Sequence, residues 1–458
     1  MGYGATLVRE RPRPSAAPPG RAAAPGHAAR RPPRRAPGRH RRPAHAAGPP
    51  RLAIACGAVL FQASLGGIYS WSVLARALQE PGTAFGLSRS QAVLPFSVAI
   101  GVVFVGTYLG GRLQDRRGPR AAALLGGVLY ATGTMLASLA TGRDQLWWML
   151  LSFGVVGGLG LGVAYIVPVA MLQKWYPDKR GLITGVAVGG FGFGAVLTSP
   201  LAQGLVDAHR QTPTEAFLPL GLCYLVATTA GALLFRNPPP AAPKPGGRGD
   251  FTLREALRTR QWYLLTAMLT LNTVAGIGFV AVTAGAAVAI TGMGPGAAAA
   301  LTGFMGLFNG AGRILWGWLS ERHGRMRIFT LILALMGAAL LLAPHATTPL
   351  LFIPLAAVVF ANFGGGYAVM PATVGDFFGL TNAGAIYGLM NIAWSVGGVV
   401  GPLLVASLAA GGSYGGAFTS LAVIVLAATA LPGLTRPPGR RALRGRARRM
   451  PSAAAFAR

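Results

Sequence analysis

The chain has 458 residues, 52% of them hydrophobic and only 11% charged, with 67 glycines and a formal net charge of +30 at pH 7. A soluble domain carries about a quarter charged residues, so this composition excludes an ordinary soluble domain and points to an integral membrane protein. The positive charge would suit nucleic acid, but much of it lies in arginine-rich tails before residue 51 and after Pro432, leaving an apolar centre that is only moderately basic.

Residues 1–51 are dominated by Arg, Ala, Pro and Gly and have little to bury, so they read as a disordered basic tail. A signal peptide is not expected, because the first apolar run is too long for an h-region and no small-residue cleavage site follows it. The tail could bind anionic lipid or nucleic acid nonspecifically. A solvated tail or an over-long gene start is the plainer reading, and no nucleic-acid partner is expected.

About twelve apolar runs follow, at 52–76, 90–112, 120–141, 146–173, 181–208, 216–236, 261–290, 296–319, 326–344, 348–374, 383–410 and 414–435. Each is long enough, or nearly so, to cross a hydrocarbon core of about 30 Å. None shows the period-two alternation of a barrel strand, so the expected fold is all-α. Between the sixth and seventh runs, residues 237–260 begin "NPPPAAPKPGGRGD", a Pro/Gly-rich linker that turns into a short amphipathic lead into the seventh. It divides the chain into six-helix halves at 52–236 and 261–435, followed by a basic tail at 436–458.

The loop charges predict orientation. Arg112, Arg116, Arg117 and Arg120 follow span 2; Lys174, Lys179 and Arg180 follow span 4; Arg236, Lys244, Arg248, Arg254 and Arg258 fill the gap after span 6; Arg322, Arg325 and Arg327 follow span 8. The odd-numbered loops carry few cations. By the positive-inside bias, the even-numbered loops and both termini are cytoplasmic. The use of Arg and Ala over Lys suggests a GC-rich bacterial genome, and hence the bacterial inner membrane. Cys56 and Cys223 fall within spans with no CxxC spacing, so they indicate neither disulfide nor metal.

The halves repeat each other. "GRLQDRRGPR" from Gly111 aligns with "GWLSERHGR" from Gly317 at an offset of 317 − 111 = 206. "YIVPVAMLQKWYPDKRGLITG" from Tyr165 aligns with "YAVMPATVGDFFGLTNAGAIYG" from Tyr367, with Pro168 on Pro371, Gly181 on Gly384 and Gly185 on Gly388, all at 203. Repeated halves around a midplane site are the architecture of secondary transporters.

The G-x-L-x-D-R-x-G-x-R loop after span 2, echoed after span 8 with Glu321 as its acid, resembles the signature of the major facilitator superfamily. That resemblance implies that Gly111, Asp115, Arg116 and Gly118, echoed by Glu321 and Arg322, latch helix ends in one state and release them in the other. The plainer reading is that these are loop charges that fix topology. Four further stretches, "GGIYSWSV", "GLGLGVAYIVPVAMLQKWYPDKRGLITG", "LFNGAGRILWGWLSERHGR" and "FGGGYAVMPATVGDFFG", together resemble the oxalate:formate antiporter family over about residues 52–435.

Span 8 carries Arg313 inside an apolar run. On insertion scales an arginine at mid-membrane costs roughly 2.5–3.5 kcal/mol, so it needs a partner, a wet cavity or a route to the interface. It stands four residues, about 6 Å of helix rise, before Gly317, so snorkelling is one reading. The other is a bidentate grip on a carboxylate in a central cavity. The resemblance implies the second, and places around it an aromatic cage of Tyr69, Tyr165, Phe363 and Tyr367, the last two sharing a helical face. Taken singly, each of these aromatics reads equally as packing.

Oxalate transporters carry a lysine in helix 11, whereas Trp394 occupies the matching position here. With one buried cation, the second carboxylate of a dianion would stay unpaired, at a penalty of several kcal/mol. A small monocarboxylate such as formate, lactate or pyruvate is therefore expected, with oxalate or another dicarboxylate as the alternative. Trp394 either narrows the cavity or simply packs. No Asp, Glu or His lies mid-span, so a buried proton relay is missing; anion exchange, or a proton carried by the substrate or by a boundary group such as Asp376, stays open. A drug or sugar transporter of the same fold and a non-transporting sensor are the rivals. No paired acid and base, nucleophile elbow or metal spacing is present, so neither enzyme activity nor cofactor is expected. Lipid and a small organic anion are the expected partners of a functional monomer.

Overall fold

The computed structural model describes residues 50–239, 250–409 and 413–438. Most of the two basic tails and the first part of the linker lie outside these described residues. Twelve helical passes run through the described residues: α1 Arg51–Ala77, α2 Arg89–Arg117, α3 Pro119–Leu139, α4 Arg143–Trp175, α5 Arg180–Ala208, α6 Pro213–Leu233, α7 Arg260–Thr291, α8 Pro295–His323, α9 Arg325–His345, α10 Pro349–Phe378, α11 Ala383–Leu408 and α12 Gly415–Leu434. Eleven are long and apolar enough by themselves to cross a membrane. The twelfth, α8, has the length but carries Asn309, Arg313, Glu321 and Arg322. Asn309 and Arg313 are buried where α8 packs against α5 and α10, whereas Glu321 and Arg322 lie at its last turns, Arg322 exposed. The fold is all-helical, with six helices before the linker and six after it.

Local sequence explains how the passes begin and end. Ser88 caps α2 in a capping box with Gln91, and Thr259 caps α7 through the Trp262 amide. Gly118 (φ 87°) turns α2 into α3, and Gly324 (φ 91°) turns α8 into α9. These are left-handed backbone positions that disfavour side chains, and 324 − 118 = 206 reproduces the repeat offset.

Four passes are interrupted within their length. α1 tightens to a 3₁₀ turn at Gly67–Ser70, α4 widens to a π-helix at Leu150–Gly157, α11 breaks at Asn391, and α12 breaks at Ala428–Thr429. The glycine run Gly157–Gly162 begins where the widened turns of α4 end, and α5 stays regular through Gly189–Gly194. Internal prolines such as Pro168, Pro371 and Pro402 are accommodated because neighbouring helices and small adjustments satisfy the freed carbonyls.

The described part of the linker is anchored. Asp250 accepts the amides of Leu380 (3.1 Å) and Thr381 (2.8 Å) in the α10–α11 loop, and Asn382 donates to the Phe251 carbonyl at 2.9 Å. A separate capped turn, Leu253–Ala256, precedes α7, where the sequence suggested a continuous lead-in.

Two seams join the halves. At one, α5 crosses α8: a Cβ on Gly317 would strike the Gly181 carbonyl, and one on Gly185 would strike the Arg313 carbonyl. At the other, α11 crosses α2: a Cβ on Gly111 would strike the Gly384 carbonyl, and one on Gly388 the Thr107 carbonyl. The pairs correspond through the repeat, since 317 − 206 = 111, 181 + 203 = 384, 313 − 206 = 107 and 185 + 203 = 388. Close contact is concentrated toward the end of the bundle that carries the basic even-numbered loops. Farther along the same two helices, Gly204 and Gly303 are exposed, with nothing within 4 Å of an added Cβ.

Candidate functional site

Arg313 answers the question its sequence position raises. It is 2% exposed, and its Nη1 donates to the Val188 carbonyl of α5 at 2.8 Å. The side chain is therefore turned across the seam into the bundle and does not run along α8 to the interface. Its guanidinium stands 5.5 Å over the Phe191 ring, a cation–π arrangement, and its buried Nε finds no acceptor. No carboxylate pairs with it among the described residues.

Phe191 was missed by the sequence reading, yet it organises the site. Its ring lies 5.4 Å from Tyr69, 5.4 Å from Tyr165 and 5.5 Å from Trp394. Trp394 continues the cluster to Tyr165 at 5.1 Å and Tyr367 at 5.8 Å, and Tyr367 meets Phe363 at 5.6 Å. Every aromatic expected from the sequence thus joins one network of ring contacts, and Trp394 belongs to it. A signal for Phe191 was available: 394 − 203 = 191 makes it the repeat partner of Trp394.

The helices place these rings for identifiable reasons. A Cβ at Gly66 would strike the Phe191 carbonyl, so bare backbone lets α1 approach α5 just before the 3₁₀ turn that carries Tyr69. Gly276 of α7 makes room for the Phe363 ring, and Gly364 sits beside the Arg313 side chain. The break at Asn391 is closed by the Trp394 amide donating to the Asn391 carbonyl at 2.8 Å, which starts a fresh helical turn at the tryptophan. The Tyr367 and Thr273 hydroxyls share a hydrogen bond at 2.9 Å. The Trp394 indole N–H, on a residue 3% exposed, has no acceptor. The site is thus a buried cation walled by aromatics, rich in N–H donors and without a fixed anion.

The residues expected at the gate lie at the basic end. Asp115 accepts the Ala385 amide at 2.9 Å, at the start of α11, with Lys174 Nζ 3.8 Å away. Glu321 accepts the Leu182 amide at 3.0 Å, at the start of α5. These are repeat-related caps, each carboxylate placed at the positive end of a helix in the other half. Gly111 forms the close crossing described above, and Gly118 forms the left-handed turn. Arg322 stacks on Trp318 at 4.2 Å, whereas Arg116 is exposed and has no ion-pair partner among the described residues. Asp376 adds a bridge that the gate motif did not indicate: Arg180 and Arg325 each approach it at 3.0 Å, tying α5 to α10 and α9. Among the described residues no group of His, Cys, Asp or Glu is arranged to hold a metal, and Cys56 and Cys223 are both free and exposed.

Comparison with known proteins agrees with this architecture. The Major Facilitator Superfamily profile matches residues 52–288 and 269–456. The oxalate:formate antiporter of Oxalobacter formigenes is 27% identical over 399 residues, 83% of this chain and 91% of that protein. Monocarboxylate transporter 13 of Bos taurus is 29% identical over 362 residues, covering 73% and 82% respectively. In three dimensions the chain resembles the crystal structure of the transporter FucP in the outward conformation, with a TM-score of 0.65 and 18% identity over 83% of this chain and 97% of that one. The chain belongs to the major facilitator superfamily and is a multi-pass membrane transporter.

Proposed function

We propose that this major facilitator transporter carries a small monocarboxylate across the bacterial inner membrane by alternating access, with its basic end cytoplasmic. The observation that carries the reading is Arg313: a buried guanidinium with an unpartnered N–H, beside aromatic rings and, among the described residues, lacking a protein carboxylate. Such a group calls for an anionic ligand. In an aromatic site with an effective dielectric near 20, an ion pair at 4 Å is worth about 4 kcal/mol before desolvation. A single cation favours a single carboxylate, because a second negative charge would be buried without a partner.

In this reading Tyr69, Tyr165, Phe363, Tyr367 and Trp394, joined by Phe191, wall the substrate and exclude water. Gly111, Asp115, Arg116, Gly118, Glu321 and Arg322 belong to the gate. Asp115 and Glu321 hold the basic end shut by capping helices of the opposite half, and releasing both caps lets the halves rock. Likeness to a protein named oxalate:formate antiporter supports a second reading, exchange of a dicarboxylate. Both are tested by counterflow in proteoliposomes with labelled formate, lactate, pyruvate and oxalate. Monocarboxylate uptake that Arg313→Ala abolishes is the expected result. Robust oxalate exchange would favour the dicarboxylate reading, and uptake indifferent to Arg313→Ala would remove the arginine from the site.

A further inference from the structure

Trp394 is the feature that a charge argument leaves unexplained. An indole N–H can only donate, and a donor buried without an acceptor is unfavourable unless something else supplies one. Trp394 is 3% exposed, its Nε1 has no acceptor, and its ring touches Tyr165, Phe191 and Tyr367, three walls of the candidate site. The second unsatisfied donor of the cluster, Arg313 Nε, lies on a guanidinium that packs against the same Phe191 ring. Two donors of different character, one charged and one neutral, thus meet around one phenylalanine.

Resting on the monocarboxylate reading above, we infer that the Trp394 indole N–H is a specificity element for a substrate that carries a second, uncharged oxygen beside its carboxylate. The smallest acids of that kind are 2-oxo and 2-hydroxy monocarboxylates. Their carboxylate meets Arg313, and their keto or hydroxyl oxygen offers the lone pair that Trp394 lacks. A second carboxylate would satisfy the N–H geometrically, but its charge would face only aromatic rings. A simple fatty acid would leave the indole donor unsatisfied, and buried donors of this kind discriminate against analogues that lack the acceptor. Phe191 contacts both donor-bearing side chains, so its ring must give way for one small ligand to reach both.

The test compares pyruvate with propionate, which has the same carbon skeleton without the keto oxygen. Each competes against labelled pyruvate in counterflow with the full-length wild type, Trp394→Phe and Trp394→His. The wild type is expected to prefer pyruvate by about ten- to a hundredfold, the range of one hydrogen bond to a buried donor. Trp394→Phe removes the donor and keeps a ring, so the preference should fall to within about threefold; Trp394→His restores a ring N–H and part of the preference. Because the ratio is taken within one protein, a change in overall rate does not disturb it. Equal competition by the two acids in the wild type overturns the inference even if Trp394→Phe fails to fold, and so does a preference that survives in a folded Trp394→Phe. Arg313-dependent uptake of both acids without preference would sink only this inference. Failure to carry either acid would sink this inference, and failure to carry formate as well would sink the monocarboxylate reading with it.

Discussion

At the seam between α5 and α8, Gly181 meets Gly317, Glu321 caps the Leu182 amide, and Arg313 lies one helical turn deeper. At the seam between α2 and α11, Gly384 meets Gly111, Asp115 caps the Ala385 amide, and the position matching Arg313 is Thr107, whose hydroxyl donates to the Gly388 carbonyl at 2.7 Å. The crossings and caps are alike, while the middles differ. A Phe and a Trp likewise occupy related positions at 191 and 394, but only the indole carries a donor. The comparison teaches that the repeat preserves the crossings and caps, whereas the buried cation and the indole depart from it; in the proposed function the former serve opening and closing and the latter the ligand.

The sharpest way to break this comparison is at its middle. Arg313→Ala should lower counterflow on the order of a hundredfold or more, since among the described residues it removes the only charge in the aromatic cluster. Thr107→Ala, which loses one neutral hydrogen bond of about 1 kcal/mol, should change it by less than roughly tenfold. Comparable losses from the two would mean that both positions are structural and that the asymmetry is not about substrate.

The crossings should respond alike. Gly111→Val and Gly317→Val each place a branched side chain against a backbone carbonyl of the other half. Both should hinder closure of the basic end and reduce transport by about tenfold or more. The check is labelling of a cysteine at Ala385 by an impermeant maleimide, with Cys56 and Cys223 replaced by serine; labelling should rise in both variants. A rise in only one would show that the seams do not close together.

Smaller effects are expected at the caps. Asp115→Asn and Glu321→Gln each replace a charged acceptor on a helix-terminal amide, a change of about 1 kcal/mol that shifts the closed state roughly fivefold in the same labelling assay. Asp115 should matter more, because its side chain is only 8% exposed and has Lys174 nearby. The smallest effect separates the seams again. Asp376→Asn breaks the Arg180–Asp376–Arg325 bridge, and the α2–α11 seam has no equivalent, since 376 − 203 and 180 + 203 fall on Gln173 and Ala383. With Asp376 38% exposed, the loss should stay below about 1 kcal/mol and shrink with added salt.

Much of the fold was legible because a membrane span must be long, apolar and helical, and because the linker composition separates two sets of six. α8 is the instructive case. Its apolar run marks it as a span, yet Arg313 and Asn309 lower its hydropathy, and only its packing against α5 and α10 makes their burial intelligible. Individual ring positions were harder. Tyr69, Tyr165, Phe363 and Tyr367 were expected from the resemblance, whereas Phe191, set among glycines, was passed over although the 203-residue offset leads to it from Trp394. The breaks at Gly67–Ser70 and Asn391 had no distinct local signature, because glycine and asparagine are common in membrane helices for packing alone.

The sequence by itself determined the number of passes, the repeat, the glycines at the crossings and the presence of one lone cation in an apolar helix. These are properties of length, composition and spacing along the chain, and a hydrocarbon solvent admits few other solutions. The tertiary structure decided which way Arg313 turns, that seven aromatic side chains from six helices form one network, with Phe96 of α2 joining through Tyr69 at 6.5 Å, and that Asp115 and Glu321 each cap a helix of the opposite half. Those outcomes depend on helices distant in sequence approaching to within a hydrogen bond or a ring contact. The long arginine side chain can reach either the interface or the centre, and only the packing of α5 against α8, with the Val188 carbonyl and the Phe191 ring beside the guanidinium, selects the centre.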